Sequence, residues 1–382
     1  MTIRIVLTGF GDVGKNKFTP ALLSLIDESH RKDFRFIKKG EKIELYIIDT
    51  DPNKGKEIDV LRKSVLEKNL NTEIFFLNYT KKDCLENIKD FFADKRVNLL
   101  YIASPNKTHA KYIGLFLRKS DKIFVEKPLV DNLYEIEMIE QKYRPSEFSI
   151  VRLSDHYLFK DVYEEFLYNH KKYLNMIGNI REINFYLIES SIIKKERAWL
   201  YYSGMIRDLA VHYFSILFKL YEQGYSVLGP QNFDLLEIRK ARYKEKYIPS
   251  DINNPKETFA LLKFDIKNIE STCIVGKGLN FDRKRMVIKG DEGILVIDSL
   301  NNAIYLTRNK EKIVLFESKS KKYHEYWNLM RRIFNNDPTT GLSYNLAKEE
   351  VKIMEKTDTV EISKVYDTGE IPFGASMISR VI

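Results

Sequence analysis

Two domains of different class are predicted: an N-terminal α/β domain with a doubly wound parallel sheet, then an α+β domain with a mostly antiparallel open sheet. Three observations predict this. The chain has 382 residues, more than one hydrophobic core usually serves. Up to about residue 150, short apolar runs alternate with helical stretches. Beyond it, strand-like segments follow one another with fewer helices between them. The domains are therefore placed at 1–148 and 149–382, with the C-terminal helices free to pack back on the first.

The elements of the first half follow in order. Ile3–Leu7 is an apolar run closed by Gly9, which suits a buried parallel strand. Phe18, Ala21, Leu22 and Leu25 give a helical period. Ile43–Ile48 reads as the second strand and ends at Asp49, with a basic stretch, Arg31–Lys42, inserted before it. Ile74–Leu77 reads as a third strand, Leu99–Ala103 as a fourth and Lys122–Val125 as a fifth; a helix over Cys84–Phe92 separates the third from the fourth. In the second half Ser149–Leu153 is strand-like and Asp161–Tyr173 helical. Ile180–Ile188 alternates as an antiparallel strand does. Thr258–Phe264, Glu270–Val275, Arg285–Lys289, Ile294–Asp298 and Lys312–Phe316 are further strands, and Tyr323–Asn335 and Ser343–Lys356 are helices. The segment Tyr221–Tyr247 yields no assignment.

Composition narrows the function classes. Hydrophobic residues at 44% and charged residues at 31% are those of a globular chain, and no apolar run approaches the roughly 20 residues a membrane span needs. No secretory leader is expected at the N-terminus. Cys84 and Cys273 are the only cysteines, so neither a disulfide framework nor a Cys-x-x-Cys metal pair exists, and a cytoplasmic setting fits. The net charge of +9 comes from lysines spread along the chain, which argues for an anionic small substrate and against a nucleic-acid partner. No Gly-x-Ser-x-Gly elbow and no His-Glu-x-x-His pair occurs, so neither a serine nucleophile nor a bound metal is expected.

Gly9-Phe10-Gly11-Asp12-Val13-Gly14 satisfies Gly-x-Gly-x-x-Gly directly after a strand and opens a helix, the setting of a Rossmann dinucleotide loop. Its glycines give the turn, the backbone approach to a diphosphate and close helix packing. The following helix N-terminus favours the anion. The competing reading is a glycine-rich turn in such a fold without cofactor. Asp49 would bond the adenosine ribose hydroxyls and repel a 2′-phosphate, so NAD is expected, with NADP open; Asp51 is the alternative acid. For chemistry, alcohol oxidation needs a base while hydride leaves. His212 is the candidate, because imidazole titrates near neutral pH, with Asp208 four residues before it on the same helical face. Lys127 follows the fifth strand, where its ammonium could stabilise a developing alkoxide.

The sequence resembles the glucose–fructose oxidoreductase / inositol dehydrogenase family (Gfo/Idh/MocA). The resemblance rests on Ala103-Ser104-Pro105-Asn106-Lys107-Thr108-His109, Glu126-Lys127-Pro128, Gly178–Ile183, Asp208–His212 and Gly290–Ile294, in the family's order over roughly residues 1–355. It implies a cofactor site of Gly9, Gly11, Asp12, Val13, Gly14, Asp49, Ser104, Pro105, Asn106, Glu126 and Lys127, with Lys127, Asp208 and His212 catalytic. His109 either lines the nicotinamide side or simply begins the next helix. Trp199 either borders the substrate or is a core aromatic. Gly11–Leu22, Asp155–Lys160 and Ile206-Arg207-Asp208 are similar to glucose-6-phosphate dehydrogenases. That likeness implies a substrate phosphate held by His156, Tyr157 and Lys160, Asp155 orienting the base, and Lys17 and Arg207 nearby. Ser154 before Asp155 and Phe159 depart from that pattern. The expected function is hydride transfer between nicotinamide and a sugar or polyol hydroxyl, with a hexose phosphate favoured. The alternatives are an unphosphorylated or nucleotide-linked sugar, or a non-catalytic dinucleotide-binding regulator. The resemblance also implies a homodimer or homotetramer.

Overall fold

The structure is a computed structural model that describes residues 2–29, 33–79, 84–319 and 324–373. The start of the Arg31–Lys42 stretch and Tyr323, at the head of an expected helix, lie outside the described residues. The chain divides into two compact units, residues 1–159 with 322–351, and residues 160–321 with 352–382.

The first unit is built on β1 (Thr2–Thr8), β2 (Lys42–Asp49), β3 (Thr72–Asn78), β4 (Leu99–Ile102), β5 (Ile123–Glu126) and β6 (Val151–Ser154). They pair in parallel in the order β3-β2-β1-β4-β5-β6. This is the doubly wound dinucleotide-binding order, with its switch point between β1 and β4. β4 and β5 are buried at every position because both faces of a parallel sheet are covered. The helices are α1 (Thr19–Ser29), α2 (Lys54–Glu67), α3 (Cys84–Phe91), α4 (His109–Phe116) and α5 (Leu133–Glu140).

This unit runs past the expected boundary at 148. Its sheet takes in β6, and a short strand, Leu342–Ser343, closes the edge antiparallel to β6. Arg152 donates to the carbonyls of Thr340 (3.0 Å) and Gly341 (2.9 Å), and Phe148 stacks on Tyr344 at 4.3 Å. A helix over His324–Phe334 packs against α1 and the turn before it. That helix and the beginning of Tyr344–Asp358 belong to the first unit.

The second unit contains α6 (Asp161–Tyr168), α7 (His170–Asn175), β7 (Ile180–Glu189), α8 (Leu200–Met205) and α9 (Val211–Glu222). Then come β8 (Phe233–Tyr243), β9 (Phe259–Ile266), β10 (Ile269–Lys277), β11 (Arg283–Gly290), β12 (Ile294–Asp298), β13 (Ala303–Arg308) and β14 (Glu311–Glu317). The sheet runs β14-β13-β12-β11-β7-β10-β9-β8 and ends on Lys364–Tyr366. It is mostly antiparallel, as expected; β10 with β7, and the last strand with β8, are parallel. The expected single helix Asp161–Tyr173 breaks at Asn169, whose φ of −108° and ψ of 19° end α6. The motifs Gly178–Ile183 and Gly290–Ile294 form one joint: Asp291 N–H donates to Asn179 O and Glu292 N–H to Ile177 O. A Cβ on Gly290 would lie 2.0 Å from Ile177 O, so glycine is needed there for packing.

Candidate functional site

In the first unit the glycine loop closes β1 onto the next helix. Gly9 has φ +84°, and a Cβ there would stand 2.7 Å from the backbone of Ala103 and Ser104. A Cβ on Gly14 would stand 2.3 Å from Gly9 O. Both glycines are thus required by the chain's own packing. Gly11 is different: a Cβ there meets nothing within 4 Å, so the folded chain leaves open the side on which a diphosphate would approach. The helix begins with a π-turn over Gly14–Phe18, and the Thr19 hydroxyl donates to Gly14 O at 2.7 Å.

Asp49 ends β2 beside this loop. Its Oδ2 accepts from Phe10 N–H at 2.6 Å and its Oδ1 from Asp51 N–H at 2.9 Å. Each carboxylate oxygen keeps a second lone pair for a ribose hydroxyl. Asp51, the alternative acid, instead accepts from the backbone and side chain of Asn53. Asp12 and Val13 stand at the helix entry, where the exposed Asp12 accepts from Asn16 at 3.0 Å and lies 3.3 Å from Lys17 Nζ. After β4, Pro105 leads into a turn over Asn106–Thr108, and Ser104 accepts from the Thr108 hydroxyl at 2.7 Å. His109 is fully buried, with Nε2 2.8 Å from Ser104 O and Nδ1 3.0 Å from Pro128 O. Burial holds its imidazole below the ordinary value. It joins the loops after β4 and β5, in keeping with the reading of it as a helix-start residue.

Glu126 ends β5 and is 8% exposed. Its Oε1 accepts from Tyr101 at 2.5 Å and from Tyr326 at 3.1 Å, and Tyr101 also reaches the Ser154 hydroxyl at 2.9 Å. Burial pushes the Glu126 carboxyl up to about 7, against the two tyrosine hydroxyls and the ammonium groups of Lys17 and Lys127, which pull it down. Lys127 follows directly, half-buried, through a cis peptide to Pro128. His156 stacks on Tyr326 with 6.1 Å between centroids, and Lys17 Nζ lies 5.8 Å from the same ring. The structure thus brings Lys17 and His156 to one aromatic platform. Asp155 is fully buried and accepts from Tyr157 N–H at 2.9 Å, and Tyr157 is itself buried.

In the second unit Lys160 precedes α6. A second π-turn, Ile206–Ala210, carries Asp208 into α9, whose second residue is His212. Both are buried, and Arg197 lies 3.8 Å from Asp208 Oδ2. The straight α-helix expected over this pair is widened by one residue at Asp208. π-Turns are uncommon and concentrate at functional sites, and both of these coincide with expected site residues. Arg207, expected near a substrate anion, has Asp358 as a partner. It is buried and donates to Asp358 at 2.5 Å, which also receives Lys256 at 3.0 Å. Trp199 is not a core aromatic, being about half exposed. Among the described residues no helix is long and apolar enough to cross a membrane.

Residues 3–145 match the model of the "Oxidoreductase family, NAD-binding Rossmann fold". They form an NAD-binding Rossmann domain of that family. Its cofactor is a nicotinamide dinucleotide and its chemistry that of an oxidoreductase. The whole chain is similar in fold to a glucose-6-phosphate dehydrogenase in complex with glucose-6-phosphate, with a TM-score of 0.71, 19% identity, and 98% of this chain and 96% of that one covered. It is also similar to a levoglucosan dehydrogenase in complex with NADH and levoglucosan (0.65, 14%, 93% and 96%). A third is KijD10, a 3-ketoreductase from Actinomadura kijaniata in complex with NADP and TDP-benzene (0.64, 12%, 96% and 99%). No curated protein matches the chain by sequence.

Sequence reasoning missed several residues of this Rossmann domain and of the second unit. Tyr101 sits in an apolar run and signals only core, and Tyr326 belongs to a helix far along the chain. Nothing local pairs either with Glu126. Nothing in the local sequence pairs Arg197 with Asp208 or Asp358 with Arg207.

Proposed function

We propose that the chain is an NAD-dependent dehydrogenase of a sugar or polyol hydroxyl, with a hexose phosphate as substrate. The observation that carries the nucleotide half is the open side of Gly11 beside the Asp49 carboxylate. An acid there accepts ribose hydroxyls and repels a 2′-phosphate, which favours NAD over NADP.

Nicotinamide, when bound, supplies the acceptor for a hydride. The chain's residues supply the rest. His212 takes the hydroxyl proton, Asp208 orients substrate or imidazole, and the Lys127 ammonium stabilises negative charge growing on the reacting oxygen. The substrate phosphate is assigned to His156, Tyr157 and Lys160, with Lys17 alongside. The shared position of Lys17 and His156 at the Tyr326 ring supports this assignment, as does the glucose-6-phosphate in the first of the similar structures. Arg207 is placed outside this set, because its guanidinium donates to Asp358.

The test is NAD⁺ reduction with a hexose 6-phosphate against the free hexose, in the wild type and in Lys160→Ala. Several charge-assisted bonds at about 1.5–3 kcal/mol each favour the ester strongly. The variant should raise KM for the ester and leave the free sugar nearly unchanged. Equal use of both sugars, or an equal effect of the variant on both, removes the phosphate site and leaves the dehydrogenase standing. Absence of turnover with any sugar or polyol removes the dehydrogenase as well and leaves a dinucleotide-binding regulator.

A further inference from the structure

Glu126 is a buried carboxylate at the end of β5 that the proposed mechanism leaves without a task. Its place in the topology is informative. On the proposed reading Asp49, at the end of β2 beside the glycine loop, would take the adenosine half, and the loop at the end of β1 would take the diphosphate. A dinucleotide crossing the sheet in that direction carries its nicotinamide over β4 and β5. With strands about 4.8 Å apart, β5 lies roughly 10 Å beyond β1, the end at which Glu126 sits.

We propose that Glu126 discriminates between the two redox states of nicotinamide, its carboxylate favouring the cationic ring of the oxidised cofactor over the neutral ring of the reduced one. This rests on the dehydrogenase reading and deepens it. The geometry supplies the reason for a fixed charge: two tyrosine hydroxyls, from β4 and from the helix His324–Phe334, hold Oε1 in place. The titratable and charged groups around it are Tyr101 on β4, Tyr326 on that helix with His156 stacked behind it, Lys17 on the π-turn with Asp12, and Lys127 next in the chain. The tyrosines are held well above their ordinary range by burial beside Glu126, so they stay protonated as donors. Glu126, with its carboxyl near 7, changes charge within the working range. Protonated, it leaves an excess of positive charge facing a positive ring.

The experiment is calorimetric titration of the intact protein with NAD⁺ and with NADH from pH 5.5 to 8.5. An oxidised ring that lowers the Glu126 pKa by about one unit strengthens NAD⁺ binding about tenfold across this range. NADH affinity should change much less, and Glu126→Gln should flatten the NAD⁺ curve, with its melting curve confirming that it folds. Tyr326→Phe is the second variant. It removes one donor to the carboxylate and should move the transition to higher pH. A wild-type NAD⁺/NADH affinity ratio independent of pH, or a slope that persists in Glu126→Gln, overturns the inference while leaving the dehydrogenase intact. Failure to bind either dinucleotide at any pH overturns both.

Discussion

Replacing Gly11 by alanine should separate cofactor binding from folding. The added Cβ meets no atom of the chain within 4 Å, and the position carries no positive φ. The fold therefore loses nothing, and restriction of the unfolded chain gives a gain of about 0.4–1 kcal/mol. The bound state differs, since the methyl group stands where a diphosphate approaches the loop amides. Holding the anion back by about 1 Å stretches N–H···O contacts from about 2.9 Å to beyond hydrogen-bonding range. One or two charge-assisted bonds lost at about 1.5–3 kcal/mol each weaken NAD⁺ binding by between tenfold and more than a hundredfold. Gly14→Ala is the contrast: its Cβ stands 2.3 Å from Gly9 O, a backbone atom, so the loop must move and the fold weakens. Calorimetric titration with NAD⁺ and urea unfolding of the same preparations measure the two effects. Wild-type affinity in Gly11→Ala, or unfolding of that variant at lower urea than the wild type, would refute the reasoning.

His212→Ala should lower kcat by about 10² to 10⁴ with little change in NAD⁺ affinity, measured by steady-state kinetics and titration; unchanged turnover on the true substrate removes His212 as base. Arg207→Ala should cost stability, by about 1.5–3 kcal/mol in urea unfolding, because it removes one of the two cationic partners of Asp358 and leaves Lys256, while KM for the substrate stays near the wild-type value. A raised KM with unchanged stability would return Arg207 to the substrate. The raised Glu126 carboxyl gives a pH dependence of stability with a definite sign. The folded chain holds that proton more tightly than the unfolded one, so stability is lost as pH rises from the ordinary value of 4.5 to about 7, by up to about 3 kcal/mol. Glu126→Gln should lack this loss and so gain on the wild type as pH rises. A difference in unfolding free energy that does not grow with pH speaks against a raised carboxyl.

Much of the first unit was legible because its signals are local. β1 and β4 are short apolar runs because both sheet faces are buried, and Gly9 and Gly14 are glycines because the chain itself leaves no room for a side chain. Period-two reading failed where the strands are bulged. β8 shifts register between Leu235 and Glu237, which puts Leu236 in solvent and breaks the alternation, so this strand could not be picked out of Tyr221–Tyr247. β13 shifts between Ile304 and Tyr305 and went unassigned as well.

The same division holds for the site. The sequence by itself was enough to single out the glycine loop, the acid after β2 and the proposed groups Lys127, Asp208 and His212, since each is carried by a few neighbouring residues. Only the tertiary structure decided that Asp49 rather than Asp51 faces the loop, that Arg207 pairs with Asp358, and that Tyr101, Ser154 and Tyr326 surround Glu126. These choices depend on which distant side chains share a buried volume. A side chain's charge state and free hydrogen-bonding capacity are set by that company, which no local pattern records.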